Sequence, residues 1–202
     1  MNYFVTAIGT DSGKTLASAI MCEALGADYW KPVQAGTPKD SDTIRNLISN
    51  KHSIIHPEKF ILKTPASPHA AAKIDNVAIR ISDFQVPESS RPMIIEGAGG
   101  CLVPLNETEF VIDMAAHFKA DVVVVSNLYL GSINHTLLTF EALRSRNLRM
   151  LGIIFNGDSN PESESIILHH AKVPKLLHIK KEEAITKQVI IDYACLLRKN
   201  LP

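Results

Sequence analysis

Residues 3–16 read YFVTAIGTDSGKTL. The opening is a short apolar run rich in β-branched and aromatic residues, which reads as a buried strand. It runs straight into a glycine-containing turn, and a helical pattern begins at Gly13. The backbone N–H groups at such a helix start have no internal partner and face outward, where they suit phosphate. Lys14 can bring a charge to the β- and γ-phosphates, and Thr15 can place a hydroxyl on magnesium. The usual loop has Gly, four residues, then Gly-Lys-Ser/Thr. Here that first position is Ile8, with Ala7 before it. The loop is therefore expected to enter by a different backbone path, with Gly9 supplying the flexibility. The plainer alternative is a common tripeptide opening a surface helix; the strand before and the helix after favour phosphate.

Further buried strands are expected at 93–97 (MIIEG), 121–127 (DVVVVSN) and 148–156 (LRMLGIIFN), with weaker candidates at 28–33 and 175–179. Helical patterns lie between them, over 13–25, 107–118 and 133–146. A C-terminal helix in EEAITKQVIIDYACLLRKN has acids first and bases last, as the helix dipole favours. Strand alternating with helix argues for an α/β fold with a parallel sheet covered on both faces. The proline-rich stretch 50–92 reads as loop excursions from that sheet. One domain over residues 1–202 is the expected organisation.

The 202 residues are 46% hydrophobic, enough for a sizeable core. Lys plus Arg equals Asp plus Glu at 21 each, so net charge is zero and nothing favours a nucleic-acid or membrane surface as partner. Cys22, Cys101 and Cys195 are far apart and odd in number, which reads as reduced thiols in the cytosol. The N-terminus lacks the basic region of a signal peptide, and no apolar run is long enough to span a bilayer.

Strand ends carry the other chemistry, because in a parallel sheet the carboxyl ends line the ligand crevice. WKPVQAG (30–36) puts Lys31 there, held by preceding aromatics and a following proline, as a second cation for an anion or a transferring phosphoryl group. In KDSDTIRNL (39–47), Asp40 reads as a helix cap and Asp42 as the acid that faces a metal. MIIEGAGG (93–100) ends in Glu96, a carboxylate placed to support magnesium, followed by glycines that let backbone approach a ligand. In YLGSINHTLLT (129–139), Ser132 and Asn134 are cap residues at a helix start that suits a second anion such as a carboxylate. FNGD (155–158) offers Asn156, an amide able to pair with a purine edge. The histidines, His169-His170 included, have no metal-ligand spacing and read as surface.

Taken in order, YFVTAIGTDSGKT, KPVQAG, DSDT, TPASPHAAA, IEGAGGCLVPL, LGSINHTLLT and FNGD resemble the dethiobiotin synthetases, over about residues 3 to 158. Gly-Lys-Thr alone is common, but E-G-A-G-G and L-G-x-I-N-H in this order are not. The resemblance implies a three-layer P-loop NTPase-like fold, mainly parallel in its central sheet. It implies a homodimeric, cytoplasmic ligase of biotin synthesis that makes dethiobiotin from diaminopelargonic acid, carbon dioxide or bicarbonate, and ATP with magnesium. Lys31 then stabilises a carbamate, with Thr10 nearby. Lys14 and the backbone donors of Asp11, Ser12, Gly13, Thr15 and Leu16 hold phosphates. Thr15, Asp42 and Glu96 hold magnesium. The turn Glu96, Gly97, Ala98 and Gly99 lines the nucleotide, and Asn156 with Gly157 meets the base. Lys31 and Ala35 face the substrate, whose carboxylate tail is received by Gly131, Ser132 and Asn134 of the partner subunit.

The family's loop is itself a long variant: Gly, five residues, then Gly-Lys-Thr. This chain has the same length, with Ala7 in place of Gly. Ala35 stands where the family often has Ser or Thr, and Thr37 is the expected substitute. The segment VPKLLHIKKEEAITKQ (173–188) matches the family's base-closing segment poorly, so weak base discrimination is expected. Three other readings compete. Cobyrinate amidase-type synthetases share the loop but carry a glutaminase domain, for which this chain has no room. Partition-type regulatory ATPases have an extra lysine early in the loop, absent from AIGTDS (7–12). A non-enzymatic binding protein leaves unexplained why phosphate, metal and second-anion positions occur together.

Overall fold

A computed structural model describes residues 1–201. The chain folds as β1 (Asn2–Ala7), α1 (Lys14–Leu25), β2 (Asp28–Trp30), β3 (Val33–Ala35), α2 (Asp40–Leu47), β4 (Ile55–His56), β5 (Phe60–Leu62) and α3 (Pro68–Ile74). It continues with β6 (Met93–Glu96), α4 (Asp113–His117), β7 (Asp121–Asn127), α5 (Ser132–Arg144), β8 (Met150–Asn156), α6 (Pro161–Ala171), β9 (Lys175–Ile179) and α7 (Lys187–Arg198).

Seven strands form one sheet in the order β4-β2-β6-β1-β7-β8-β9, every neighbouring pair parallel. The fold is α/β, as expected. Successive side chains of β1 enter different cores, as strand geometry requires. Phe4 joins one with Met114, Phe140 and Ile167. Tyr3, Val5 and Ala7 join the other with Ile20, Ile190 and Leu197. Helices α4, α5 and α6 thus cover one face, and α1 and α7 the other. Val122 to Val125 are fully buried, which is why β7 reads as an unbroken apolar run. Among the described residues no helix is long and apolar enough to cross a membrane.

Four expectations need correcting. The run 28–33 is not one strand. Pro32 has no N–H for a ladder, and its carbonyl accepts from Lys59 N and Phe60 N. The chain resumes as β3, which pairs with β5 in a separate two-stranded sheet. The helix expected over 107–118 covers only α4. Asn106 Oδ1 accepts from the backbone N–H groups of Thr108 and Glu109, a local turn that competes with helix. The 50–92 stretch is not all loop, since β4 extends the main sheet and α3 starts with proline at its first turn. The acids Glu182 and Glu183 precede α7 instead of entering its first turn, where Thr186 caps Val189 N at 3.3 Å.

Candidate active site

Strand β1 delivers the chain to the carboxyl edge of the sheet, between β6 and β7. Ala7 is still a fully buried strand residue. The left-handed residues of the loop are Asp11 (φ 57°) and Gly13 (φ 96°), not Ala7 or Gly9. An alanine methyl at position 7 is therefore core packing and costs the loop nothing in φ. Gly13 is held to glycine twice over. Its φ is left-handed, and a Cβ there would lie 2.4 Å from Asn156 Nδ2.

No side chain caps the N-terminus of α1, so its first N–H groups remain available to an anion. Lys14 folds back to donate to Gly9 O at 3.1 Å, and Ser12 Oγ donates to the same oxygen at 3.2 Å. Burial, and then the like charge of Lys31, hold the Lys14 ammonium down at about 8.

A buried polar cluster lies beside the loop. Glu96, 1% exposed, ends β6 in register with Val5 of β1. Its Oε1 accepts from Thr15 Oγ1 at 3.0 Å and Lys31 Nζ at 2.9 Å; its Oε2 accepts from Tyr29 OH at 2.9 Å. Lys31 also donates to Gly97 O at 3.1 Å and pairs with Asp40 Oδ2 at 2.6 Å. Burial alone lowers the Lys31 pKa, but Glu96 and Asp40 outweigh it and hold the ammonium above its ordinary range. Burial and the Glu96 charge push the Tyr29 hydroxyl well up.

A cavity of about 690 Å³ opens over this cluster. Thr10, Asp11, Gly13, Lys14, Thr15, Lys31, Ala35, Glu96, Ala98 and Gly99 all line it. Of the two acids of α2, it is Asp40 that lies on the cavity wall. Asp40 caps nothing; its N–H donates to Gln34 Oε1 at 3.1 Å, and its carboxylate reaches Lys31 on the cavity wall. Asp42 points away and pairs with Arg45 at 2.7 Å, both more than half exposed. Two residues along a helix differ by about 200° in direction, so one acid faces in only if the other faces out. Thr37 is exposed and outside the cavity wall, which Ala35 lines.

The second helix start repeats the first. The N-cap of α5 is Gly131 (φ 103°), with no side-chain cap. Ser132 and Asn134 are therefore not its caps: Ser132 is buried and Asn134 exposed. This turn does not line the cavity within one chain. Asn156 Nδ2 donates to Ser12 O at 3.0 Å, tying the end of β8 to the phosphate loop. Tyr29, Gln34 and the wall at 65–68 carried no assigned role in the sequence. The aromatics noted before Lys31 were the only signal for Tyr29.

Residues 1–189 match the AAA domain family. The chain is 58% identical over 200 residues to an ATP-dependent dethiobiotin synthetase of Cytophaga hutchinsonii, covering 98% of this chain and 97% of that one. The chain belongs to the ATP-dependent dethiobiotin synthetase family. A Christiangramia forsetii dethiobiotin synthetase is 47% identical over 203 residues, covering 99% of this chain and 97% of its own. Among solved structures, a ParA family ATPase from Chlorobium tepidum is 14% identical with TM-score 0.62, covering 96% of this chain and 97% of that one. MinD of Pyrococcus horikoshii, complexed with Mg-ADP, is 15% identical with TM-score 0.61, covering 96% and 95%. These last two share the fold of the dethiobiotin synthetases; at that identity they carry no more.

Proposed function

We propose that the chain is a single catalytic domain that closes the ureido ring of dethiobiotin from diaminopelargonic acid, carbon dioxide and ATP, releasing ADP and phosphate. Beyond the family relationship, one observation carries this reading. A second buried lysine, Lys31, faces the same cavity as the phosphate-loop Lys14. A second cation there stabilises an anionic nucleophile beside the transferring phosphoryl group, and Lys31 comes from the end of β2 and not from the phosphate loop.

One amine of the substrate adds to carbon dioxide and loses a proton, giving a carbamate. Lys31 holds that anion, with Thr10 beside it and Ala35 on the wall next to the substrate chain. A carbamate oxygen attacks the γ-phosphorus as ADP leaves. The second amine then attacks the carbamate carbon, closing the ring and expelling phosphate. The protein's task is to align carbamate and γ-phosphate and to neutralise charge. Lys14 and the N–H groups from Asp11 to Leu16 hold the phosphates, the turn from Glu96 through Gly97 and Ala98 to Gly99 lines the nucleotide, and Asn156 with Gly157 meets the base.

Thr15 and Glu96 fit magnesium, being two hard oxygen donors 3.0 Å apart on the cavity wall. Asp40, and not Asp42, is the acid of α2 on the same cavity wall. When bound, magnesium supplies charge neutralisation at the β- and γ-phosphates.

The protein acts as a homodimer in which Gly131, Ser132 and Asn134 of the partner subunit receive the substrate's carboxylate. The uncapped start of α5 and the exposed Tyr129, Leu130 and Leu138 around it support this. Three free cysteines suit the reducing cytoplasm. The test is phosphate release from ATP and magnesium, with and without diaminopelargonic acid plus bicarbonate. Release that needs both, with dethiobiotin appearing in step, is expected. Hydrolysis indifferent to both would overturn the reading in favour of a regulatory ATPase.

A further inference from the structure

Behind the turn at the end of β8 lies a buried histidine–carboxylate contact that the chemistry above does not use. Strand β9 runs parallel to β8, with His178 opposite Phe155 and Ile179 opposite Asn156. His178 Nδ1 is 3.0 Å from Glu164 Oε1 on α6. Its other nitrogen, Nε2, is 2.9 Å from Gly157 O. A carbonyl oxygen can only accept. Glu164 is 5% exposed and already accepts from Ser159 Oγ at 2.9 Å and Lys175 Nζ at 3.3 Å. Burial pushes the Glu164 carboxyl up, but Ser159, His178 and Lys175 together hold it below its ordinary range. Both ring nitrogens therefore face acceptors, so the ring is held between the carboxylate and the turn's carbonyl.

The ring grips the Asn156–Gly157 turn through the Gly157 carbonyl. Gly157 N donates to Ile179 O at 2.9 Å, and Leu128 N donates to Asn156 O at 3.0 Å. The turn's backbone is thus tied to both neighbouring strands, and the Asn156 side chain to Ser12 O in the phosphate loop. Gly157 has φ +106°, and a Cβ there would meet nothing within 4 Å. The turn presents open space on one face and is pinned on the other.

We propose that His178, held by Glu164, is a positioning residue for the nucleotide: it fixes the Asn156–Gly157 turn against the phosphate loop so that base and phosphates are bound in one register. The proposal rests on the reading of that turn as the base contact. The ring's contact with the Gly157 carbonyl at 2.9 Å holds the turn in place. Glu164 acts on the nucleotide only through the ring, by keeping it oriented.

The test measures kcat, KM for ATP and for GTP, and melting temperature in the full-length chain, for His178→Ala, His178→Gln, Glu164→Gln and Asn156→Ala. His178→Ala is expected to raise the KM for ATP several-fold, up to about tenfold, the usual weight of one hydrogen bond, with a much smaller fall in kcat. The ATP over GTP preference falls with it. Glutamine retains an N–H for the Gly157 carbonyl, so His178→Gln recovers most of the loss, and Glu164→Gln lies between. A contact that merely stabilises the fold lowers the melting temperature without moving KM or base preference. KM within about twofold of the parent in both His178→Ala and Glu164→Gln, with Asn156→Ala raised, overturns the positioning role and leaves the base contact standing. An unchanged KM in Asn156→Ala overturns the base contact and the positioning role together. If His178→Ala does not fold, the two glutamine variants decide between the same outcomes.

Discussion

Replacing Lys31 by Met strands a carboxylate in the protein interior, and the size of that effect follows from the geometry. Lys31 Nζ has three acceptors: Asp40 at 2.6 Å, Glu96 at 2.9 Å and Gly97 O at 3.1 Å. They match its three protons. Asp40 is 30% exposed and is rehydrated on losing the lysine, so its share is under about 1 kcal/mol. Glu96 is different, because its side chain is 1% exposed and Thr15 and Tyr29 offer it only neutral donors. Removing one partner of such a pair costs about 3–5 kcal/mol. At roughly 2–4 °C per kcal/mol for a domain of this size, the melting temperature falls by about 6–20 °C. Adding Glu96→Gln removes the stranded charge, and the double variant is expected to regain more than half of the loss. The Lys31 pKa is raised in the folded protein. Its stabilisation is thus fully present below the ordinary lysine value and is lost only as pH climbs through the raised one. Lys31→Met flattens that alkaline limb. Urea titrations of the four proteins of the cycle, repeated from neutral to alkaline pH, measure all of this. A loss below about 1 kcal/mol, or a double variant no better than the single, would refute the claim that Glu96 depends on Lys31. Turnover in Lys31→Met is expected to vanish while nucleotide still binds. Loss of nucleotide binding would make Lys31 a phosphate anchor instead.

The remaining expectations are more local. Gly13→Ala forces a Cβ to 2.4 Å from Asn156 Nδ2 at φ 96°, costing about 1–3 kcal/mol of strain; a higher KM for ATP and a lower melting temperature should appear together. Glu96→Gln should raise the magnesium concentration needed for half-maximal rate, and an unchanged magnesium response removes Glu96 from the metal shell. Asp40→Asn should shift the same response while Asp42→Asn does not, because only Asp40 lines the cavity; the reverse result restores Asp42. Lys14, held at about 8 in the free protein, sits below its unfolded value, so the unfolded chain binds more protons between about pH 8 and 10.4 and this group's unfavourable contribution fades as pH rises there. Bound phosphate restores the charge, so ATP binding above about pH 8 should take up a proton, which calorimetry in buffers of differing ionisation heat detects.

The signals legible in the sequence were those carried by adjacent residues. A strand, a turn and Gly-Lys-Thr are contiguous, so the phosphate loop could be read without knowing the sheet. Glu96 was legible for the same reason, as a carboxylate ending an apolar run. What escaped were partnerships across the sheet and directions around a helix. Tyr29 reads as core in its strand; only the β2–β6 pairing turns its hydroxyl toward Glu96. Asp40 and Asp42 occupy one helix start, and the rotation of α2 that chooses between them is set by Gln34 and by the Ser41–Glu58 contact. Ala7 shows the opposite error. A family glycine suggested a strained backbone, yet the strain lies at Asp11 and Gly13, so a methyl at position 7 meets only core. His178 belongs to the same class as Tyr29. Its segment resembled nothing expected at the base, and its partners, Gly157 and Glu164, are 21 and 14 residues away. If His178 positions the turn as proposed, a poor match to a family's base-closing segment does not imply a weak base site, because β9 then supports the nucleotide from behind through a side chain that never touches it.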